Sequence, residues 1–393
     1  MALEWWQIVL GVIVGLFLLM VLVIIHELGH AWAAVRNGVK VEEFGLGFPP
    51  RAKILGKYKG TLITLNWLLP LGGFCQMKGD DDFDRKAAKK TNKDKDSFEA
   101  ASFWSKTKIL FAGVFANLVT AMVIFTVLAL FGMPKIFPNQ FAMLGDNSGQ
   151  HGTVEIDTVT KDSPAEKAGL KKSDVLVKVA GTEIEMSAEV PNLTKNNAGK
   201  TINIEYQRDG KTHTTSATLN PADSKQGYLG IVPAQKDHAT IKATWSAPIV
   251  GVVSTFQFIG ATFAGLGDLL ANLFGGLWGL ITGGGEAAQQ QINKAGESVA
   301  GPVSILGVIF PQAMMAGPTT LLWIMGVISL TLTVMNILPI PGLDGGRWYV
   351  IAGFKLFRKK LTKEKEALIN GIGMMFLYGL IVIVVISDIW KMF

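Results

Sequence analysis

The sequence predicts a polytopic α-helical membrane protein of about four transmembrane helices, with a membrane-associated β-hairpin element and one extracytoplasmic α+β domain. Three observations carry that prediction. Only 17% of the 393 residues are charged while 49% are hydrophobic, and the mean hydropathy is +0.34. Four apolar runs, at 5–25, 109–131, 321–338 and 369–389, are each able to span a hydrocarbon core about 30 Å thick. Between the second and third lies a polar stretch, about 134–242, with strand alternation and turn residues.

Charge sets the expected topology. Segments 36–108 and 355–365 are rich in Lys and Arg, so both are expected in the cytosol. The first helix (1–35) then runs inward and carries a motif at its cytosolic end. A cytosolic loop with the membrane-associated β element follows (36–106), and the second helix (107–133) runs outward. Next come the extracytoplasmic domain and its flanks (134–242) and a membrane-surface segment (243–318). The third helix (319–346) returns, and a cytosolic loop precedes the fourth (347–393). The first run has no basic residue before it, since Arg36 is the first Lys or Arg, and is expected to remain as a span. The formal charge of +6 lies largely in loops beside the spans, which assigns it to topology and away from nucleic acid. Cys75 is the only cysteine, so no intrachain disulfide is available.

The first helix ends in His26-Glu27-Leu28-Gly29-His30. Histidines four apart sit about 40° from each other around a helix, so both rings can reach one metal, while Glu27 points about 60° from His30. That is the arrangement in which a zinc ion acidifies a water and an adjacent carboxylate takes its proton. Imidazole and carboxylate groups at the end of a bilayer-length helix are costly unless used. The third apolar run breaks at Asn336-Ile337-Leu338-Pro339-Ile340-Pro341-Gly342-Leu343-Asp344-Gly345, because prolines cannot continue the helix and glycines permit a turn. Asp344 is thereby expected at the depth of the two histidines, completing a His-His-Asp shell with an open position.

With these motifs on the page, the chain resembles the site-2 protease group of intramembrane zinc metalloproteases, of the bacterial RseP type. The resemblance rests on His26-Glu27-Leu28-Gly29-His30 and on the Asn336 to Gly345 motif. It rests also on Gly45-Leu46-Gly47-Phe48-Pro49, Pro70-Leu71-Gly72-Gly73-Phe74, Ala112-Gly113 with Asn117, and Gly301-Pro302-Val303-Ser304-Ile305. Val114 stands where the family usually has proline, and a single outer domain stands where proteobacterial members carry two. The resemblance implies a multi-pass protein of the bacterial cytoplasmic (inner) membrane with its active site toward the cytosol. It implies one catalytic Zn2+ held by His26, His30 and Asp344, with Glu27 as general base. Single-pass membrane proteins, such as anti-sigma factors or signal-peptide remnants, are the implied substrates.

A substrate helix hides its amides, and freeing them in lipid costs several kcal/mol per unsatisfied group. The alternating strand at 61–67, including Thr64, Leu65 and Asn66, with Gly72, Gly73 and Phe74 in a hairpin partner at 72–77, is expected to add the unwound substrate as a further strand. Asn336 is expected to hold the substrate main chain, a role that the resemblance also implies. The outer stretch resembles a PDZ domain in the bacterial permuted order, in which Tyr228, Leu229, Gly230 and Ile231 would offer N–H groups to a peptide C-terminus. The plain alternative is a domain that blocks access by bulk. His151, His213 and His238 are expected as surface histidines.

Segment 245–281 is apolar and glycine-rich. Parity requires it to cross zero or two times if Asp344 is to share His26's side, and zero is expected, with amphipathic or partly re-entrant helices on the outer leaflet. Asp80 to Asp84 lack the later glycine and glutamate of an EF-hand and read as a solvated loop. The stretch 88–96 is expected to touch anionic membrane lipids, and 97–104 to lead into the second span at the interface. Two function classes follow: an endopeptidase, or a non-catalytic membrane PDZ scaffold or quality-control adaptor with a metal site. Glu27 separates them, since a scaffold needs no base beside the histidines.

Overall fold

The computed structural model describes residues 3–80, 94–221, 227–297 and 300–392. They form two compact units, 1–124 with 255–393 and 125–254. The acidic run beyond Asp80, and the lysine-rich stretch as far as residue 93, lie outside the described residues.

In the first unit, helix α1 (Trp5–Arg36) is apolar through most of its length. It stops where the Asn37 amide donates to the Ala33 carbonyl and Gly38 turns away at φ +77°. Its glycines serve close approach. A Cβ on Gly15 would lie 2.6 Å from the Phe310 ring, and one on Gly29 would lie 2.5 Å from the Ala112 carbonyl oxygen. Phe310 begins the short helix α8 (Phe310–Ala316), and Ala112 belongs to helix α2 (Phe103–Phe131). Gly15 and Gly29 therefore fix where two neighbours can pack.

Among the described residues, five helices are long and apolar enough to cross a membrane, against the four runs expected: α1, α2, α5 (Ala247–Ile281), α9 (Pro318–Ile337) and α11, whose span covers Lys363–Trp390. The additional one is α5, a continuous helix of 35 residues where amphipathic or re-entrant pieces were expected. The glycines near its C-terminal end receive α6 (Gly285–Glu297). A Cβ on Gly276 would lie 2.6 Å from Ile292, and one on Gly279 would lie 2.7 Å from Ala288.

The β element differs from a simple hairpin. Strand β1 (Val41–Tyr58) and strand β2 (Thr61–Met77) each make two passes. Gly45 pairs with both Thr64 and Phe74, while Thr64 pairs with both Gly45 and Ile54. The order across the sheet is therefore 73–77, 41–46, 61–66, 51–58. Segment 72–77 is the partner of 41–46, not of 61–67, because β1 turns back at Pro49 and Pro50 and covers the far side of 61–66. Thr64, Leu65 and Asn66 thus lie in a central pass with both edges paired, and cannot accept a substrate strand. Thr64 and Asn66 are buried and donate to Glu43 and to the Gly47 carbonyl at 2.7 and 3.0 Å. Two passes have an open edge, 51–58 and the one that contains Gly73 and Phe74, and the second is the one beside α1, near Val23 and Glu27. The Phe74 ring covers Gly45, and the Phe48 ring packs 2.6 Å from where Gly72 would carry a Cβ. These two aromatic–glycine pairs explain both glycine-rich motifs.

After α9, the chain breaks at Pro339 and Pro341 and restarts as α10 (Asp344–Leu356), a helix where a loop was expected. Gly345 and Gly346 allow the restart. A Cβ on Gly345 would lie 2.6 Å from the Asn336 and Ile337 carbonyl oxygens, and one on Gly346 would collide with that of Ile340. One turn along α10, Arg347 forks onto Asp80 at 2.5 and 3.1 Å, bonds Glu366 at 2.9 Å and lies over the Phe98 ring. It thereby ties the end of the β element and the start of α11 to the helix that begins with Asp344.

The second unit holds an antiparallel sheet in the order β8 (Lys211–Thr218), β7 (Thr201–Arg208), β5 (Val175–Val179), β4 (Thr153–Val159), β9 (Ile231–Asp237). Its core gathers Val154, Ile156, Leu176, Ile204 and Leu229. Ser163 caps the short helix at Pro164–Lys167 by accepting the Glu166 N–H. Buried Asp174 receives Arg208 in a fork of two 2.7 Å bonds.

Arg347 and Asp80 are both largely buried. Arg347→Met, leaving that carboxylate unpaired, is expected to lower unfolding stability in detergent by about 3 kcal/mol. Combining it with Asp80→Asn should cost less than the sum of the single changes. Thermal melts of the four proteins give the comparison.

Candidate metal centre

His26 and His30 project from one face of α1, their rings T-shaped with centroids 4.7 Å apart. Their Nε2 atoms are 3.1 Å apart, and Asp344 Oδ2 lies 3.0 Å from the first and 3.3 Å from the second. This is the sole group of three or more potential ligands among the described residues. A tetrahedral zinc ion bound at about 2.0–2.2 Å places its donors roughly 3.3–3.6 Å apart. The observed triangle is at or a few tenths of an ångström inside that spacing, so the donor set fits a small divalent ion.

Helix α2 supplies the wall behind the triangle. The Ile109 carbonyl accepts a 2.8 Å hydrogen bond from His30 Nδ1, which leaves Nε2 of that ring to face Asp344. Asn117, fully buried, lies 3.2 Å from His26 Nδ1, and its main-chain carbonyl accepts from Ser329 of α9 at 2.8 Å. Gly113 lies midway between them. A Cβ there would sit 2.7 and 2.8 Å from the His26 ring and collide with His30 Nε2. The cradle therefore depends on the absence of a side chain at 113.

Glu27 is the neighbour of His26 in sequence. The open β edge faces it: Gly73 is built within 3.7 Å of its Cγ once a Cβ is imagined, and the Cys75 main-chain N–H is directed at its carboxylate. A carboxylate beside the triangle and an unpaired strand edge thus meet at one place. Asn336, one turn before the break, donates its amide to the Leu332 carbonyl at 3.0 Å. Tyr228, Leu229, Gly230 and Ile231 belong to the other unit. There Gly230 has φ +78°, and a Cβ on it would collide with Ser163, so only glycine fits. His151 is exposed and pairs with Glu185, while His213 stacks on Tyr206. Neither joins the triangle.

Three contributors were assigned no role at the metal from the sequence: the Ile109 carbonyl, and Gly113 and Asn117, which entered only as part of a family signature. A carbonyl leaves no mark in a sequence. The other two leave a faint one, since a polar residue four positions after a glycine inside an apolar run asks for a partner.

The wider comparisons agree with the geometry. The chain is 30% identical over 380 residues to a Clostridium perfringens protein, covering 96% of this chain and 98% of that one. It is 27% identical to the zinc metalloprotease Rip1 of Mycolicibacterium smegmatis, with 92% and 90% covered. It is 25% identical to the zinc metalloprotease RasP of Shouchella clausii, with 95% and 97% covered. Among solved structures, the PDZ domain of an SdrC-like protein from Listeria monocytogenes matches 21% of this chain and 86% of its own, at 25% identity and TM-score 0.19. The model of peptidase family M50 matches residues 14–380. The chain therefore belongs to peptidase family M50, the site-2 protease family of zinc metalloproteases.

Proposed function

We propose that this protein is an intramembrane endopeptidase that cleaves single-pass membrane proteins within or beside their transmembrane segment. The observation that carries the proposal is the triangle of His26, His30 and Asp344 with Glu27 beside it. Zinc bound there would acidify a water molecule and polarise the scissile carbonyl. Glu27 would take the proton and deliver it to the leaving amine.

The substrate must arrive extended. The edge pass at 73–77 is the element suited to receive it, because it lies against Glu27 and directs the Cys75 N–H at that carboxylate. A peptide added there would replace the hydrogen bonds of its own helix while lying against the carboxylate. Asn336 would bind the same main chain after releasing Leu332. That exchange needs only a side-chain rotation.

The positive-inside argument places the metal centre toward the cytosol of a bacterial inner membrane and the α+β unit outside. An even number of crossings between Ser254 and Gly301 is supported by where that segment makes contact. Phe258 packs on Trp323, 13 residues before Asn336. The Gly301 and Ser304 N–H groups donate to Asp388, about 22 Å of helix beyond Gly373, which packs on Pro341. The segment leaves and rejoins at the end remote from the metal centre, which keeps Asp344 on His26's side. The α+β unit reads as a PDZ domain. The Leu229 and Gly230 carbonyls accept from Ala165 and Thr160, which supports the reading that the loop's N–H groups would be the ones offered to a peptide C-terminus. Capture of such a tail, or exclusion of bulky ectodomains, would select substrates.

Incubating the purified protein with a tagged single-span substrate tests the proposal. Glu27→Gln should retain zinc and lose at least about 100-fold in cleavage rate. His26→Ala should lose both. Cleavage by Glu27→Gln at the wild-type rate would remove the base, and no cleavage by wild type with zinc bound would favour the scaffold. A second test uses the β edge, where proline is tolerated if the missing N–H pointed outward. Cys75→Pro should slow cleavage about tenfold or more with folding intact, whereas Cys75→Ala should cleave as wild type.

A further inference from the structure

We propose that Asn117 is the positioning residue of His26, its side-chain oxygen accepting the proton carried by the outer ring nitrogen. The inference rests on the metal-bound reading of the site given above. It starts from an asymmetry between the two histidines. His30 has its outer nitrogen bound to a main-chain carbonyl, which can only accept. His26 has its outer nitrogen against the side chain of Asn117 at 3.2 Å, and an asparagine amide can face it with either end.

Two observations select the end. His26 Nε2 lies in the triangle, 3.0 Å from Asp344 and 3.1 Å from His30 Nε2, so this is the nitrogen that must lend its lone pair to the ion. A neutral imidazole carries one proton, which then resides on Nδ1 and needs an acceptor. The acceptor is at hand. Asn117 is fully buried, and its Oδ1 is among the few buried side-chain atoms with no hydrogen-bond partner among the described residues. Turning the amide by half a revolution brings that oxygen to Nδ1. The rotation pairs that oxygen with the ring proton and moves the amide N–H groups to the place the oxygen leaves, so the tautomer required at the metal-facing nitrogen decides the orientation.

The backbone of α2 makes the arrangement rigid. Asn117 follows Gly113 by four residues and Ile109 by eight, so all three sit on one stripe of the helix. The Ser329 hydroxyl donates to the Asn117 carbonyl and pins this part of α2 to α9. One helix thus orients both histidines, one through a carbonyl oxygen and one through an amide oxygen. Removing such an outer partner typically costs 10–100-fold in metal affinity.

The test is zinc retention by the full chain in detergent, titrated with a chromophoric chelator. Wild type and Asn117→Asp, which keeps an acceptor oxygen, should release zinc at chelator concentrations within about threefold of each other. Asn117→Leu, with the same branching and number of side-chain heavy atoms but without an acceptor, should release it at 10–100-fold less chelator. Thr120→Val, which removes a hydroxyl bonded to the Ala116 carbonyl of its own helix, controls for a polar loss on α2 and should behave as wild type. Equal retention by Asn117→Leu would overturn the inference. Equal loss by Asn117→Asp and Asn117→Leu would also overturn it, since the acceptor would then be irrelevant. A wild-type protein that takes up no zinc would instead overturn the metalloprotease reading on which the inference rests.

Discussion

Two imidazoles and a carboxylate gathered at the ends of apolar helices are stripped of their hydration, and nothing in the surrounding hydrocarbon compensates them. A shared divalent ion resolves that conflict on the inner side of the cluster. On the outer side each ring still needs a partner, and α2 stands close enough to give one. That closeness is the constraint on which the rest depends. It requires no side chain at Gly113, and it requires α1 to meet α2 at Gly29, where a methyl group would strike the Ala112 carbonyl. The position of the first two membrane helices is therefore set by the metal centre as much as by apolar packing.

The third ligand comes from a distant stretch of chain and is held by different means. Asp344 stands at the start of a helix created by interruption: two prolines end α9, and two glycines let α10 begin against the carbonyls that α9 leaves exposed. The ion-paired Arg347 then connects this restart to Asp80 and Glu366. The carboxylate is carried on a braced turn, which suits an atom that must stay within about 3 Å of two rings from another helix.

Parts of this arrangement were legible in the sequence because their physics is local. Histidines four apart share a helix face wherever they occur, and Pro339 and Pro341 end a helix in any context. The strand alternation of 61–67 was equally legible, but alternation states only that a strand exists. Whether Thr64, Leu65 and Asn66 lie at an edge or in the middle depends on β1 turning back at Pro49 and Pro50, a long-range event with no local signature. The glycines of α5 misled for a related reason. Read alone they suggest interruption, whereas Gly276 and Gly279 are the footprints of Ile292 and Ala288. Asn117 was visible only as part of a motif, its use set by a ring 91 positions away.

X-ray absorption at the zinc edge, on purified protein in detergent, addresses the central claim without substrate or turnover. The account requires one zinc per chain, surrounded by nitrogen and oxygen scatterers alone at about 2.0–2.2 Å, with the outer-shell signature of two imidazole rings. A sulfur scatterer at about 2.3 Å, a single imidazole, or the same spectrum from Asp344→Ala would place the ion elsewhere and contradict it.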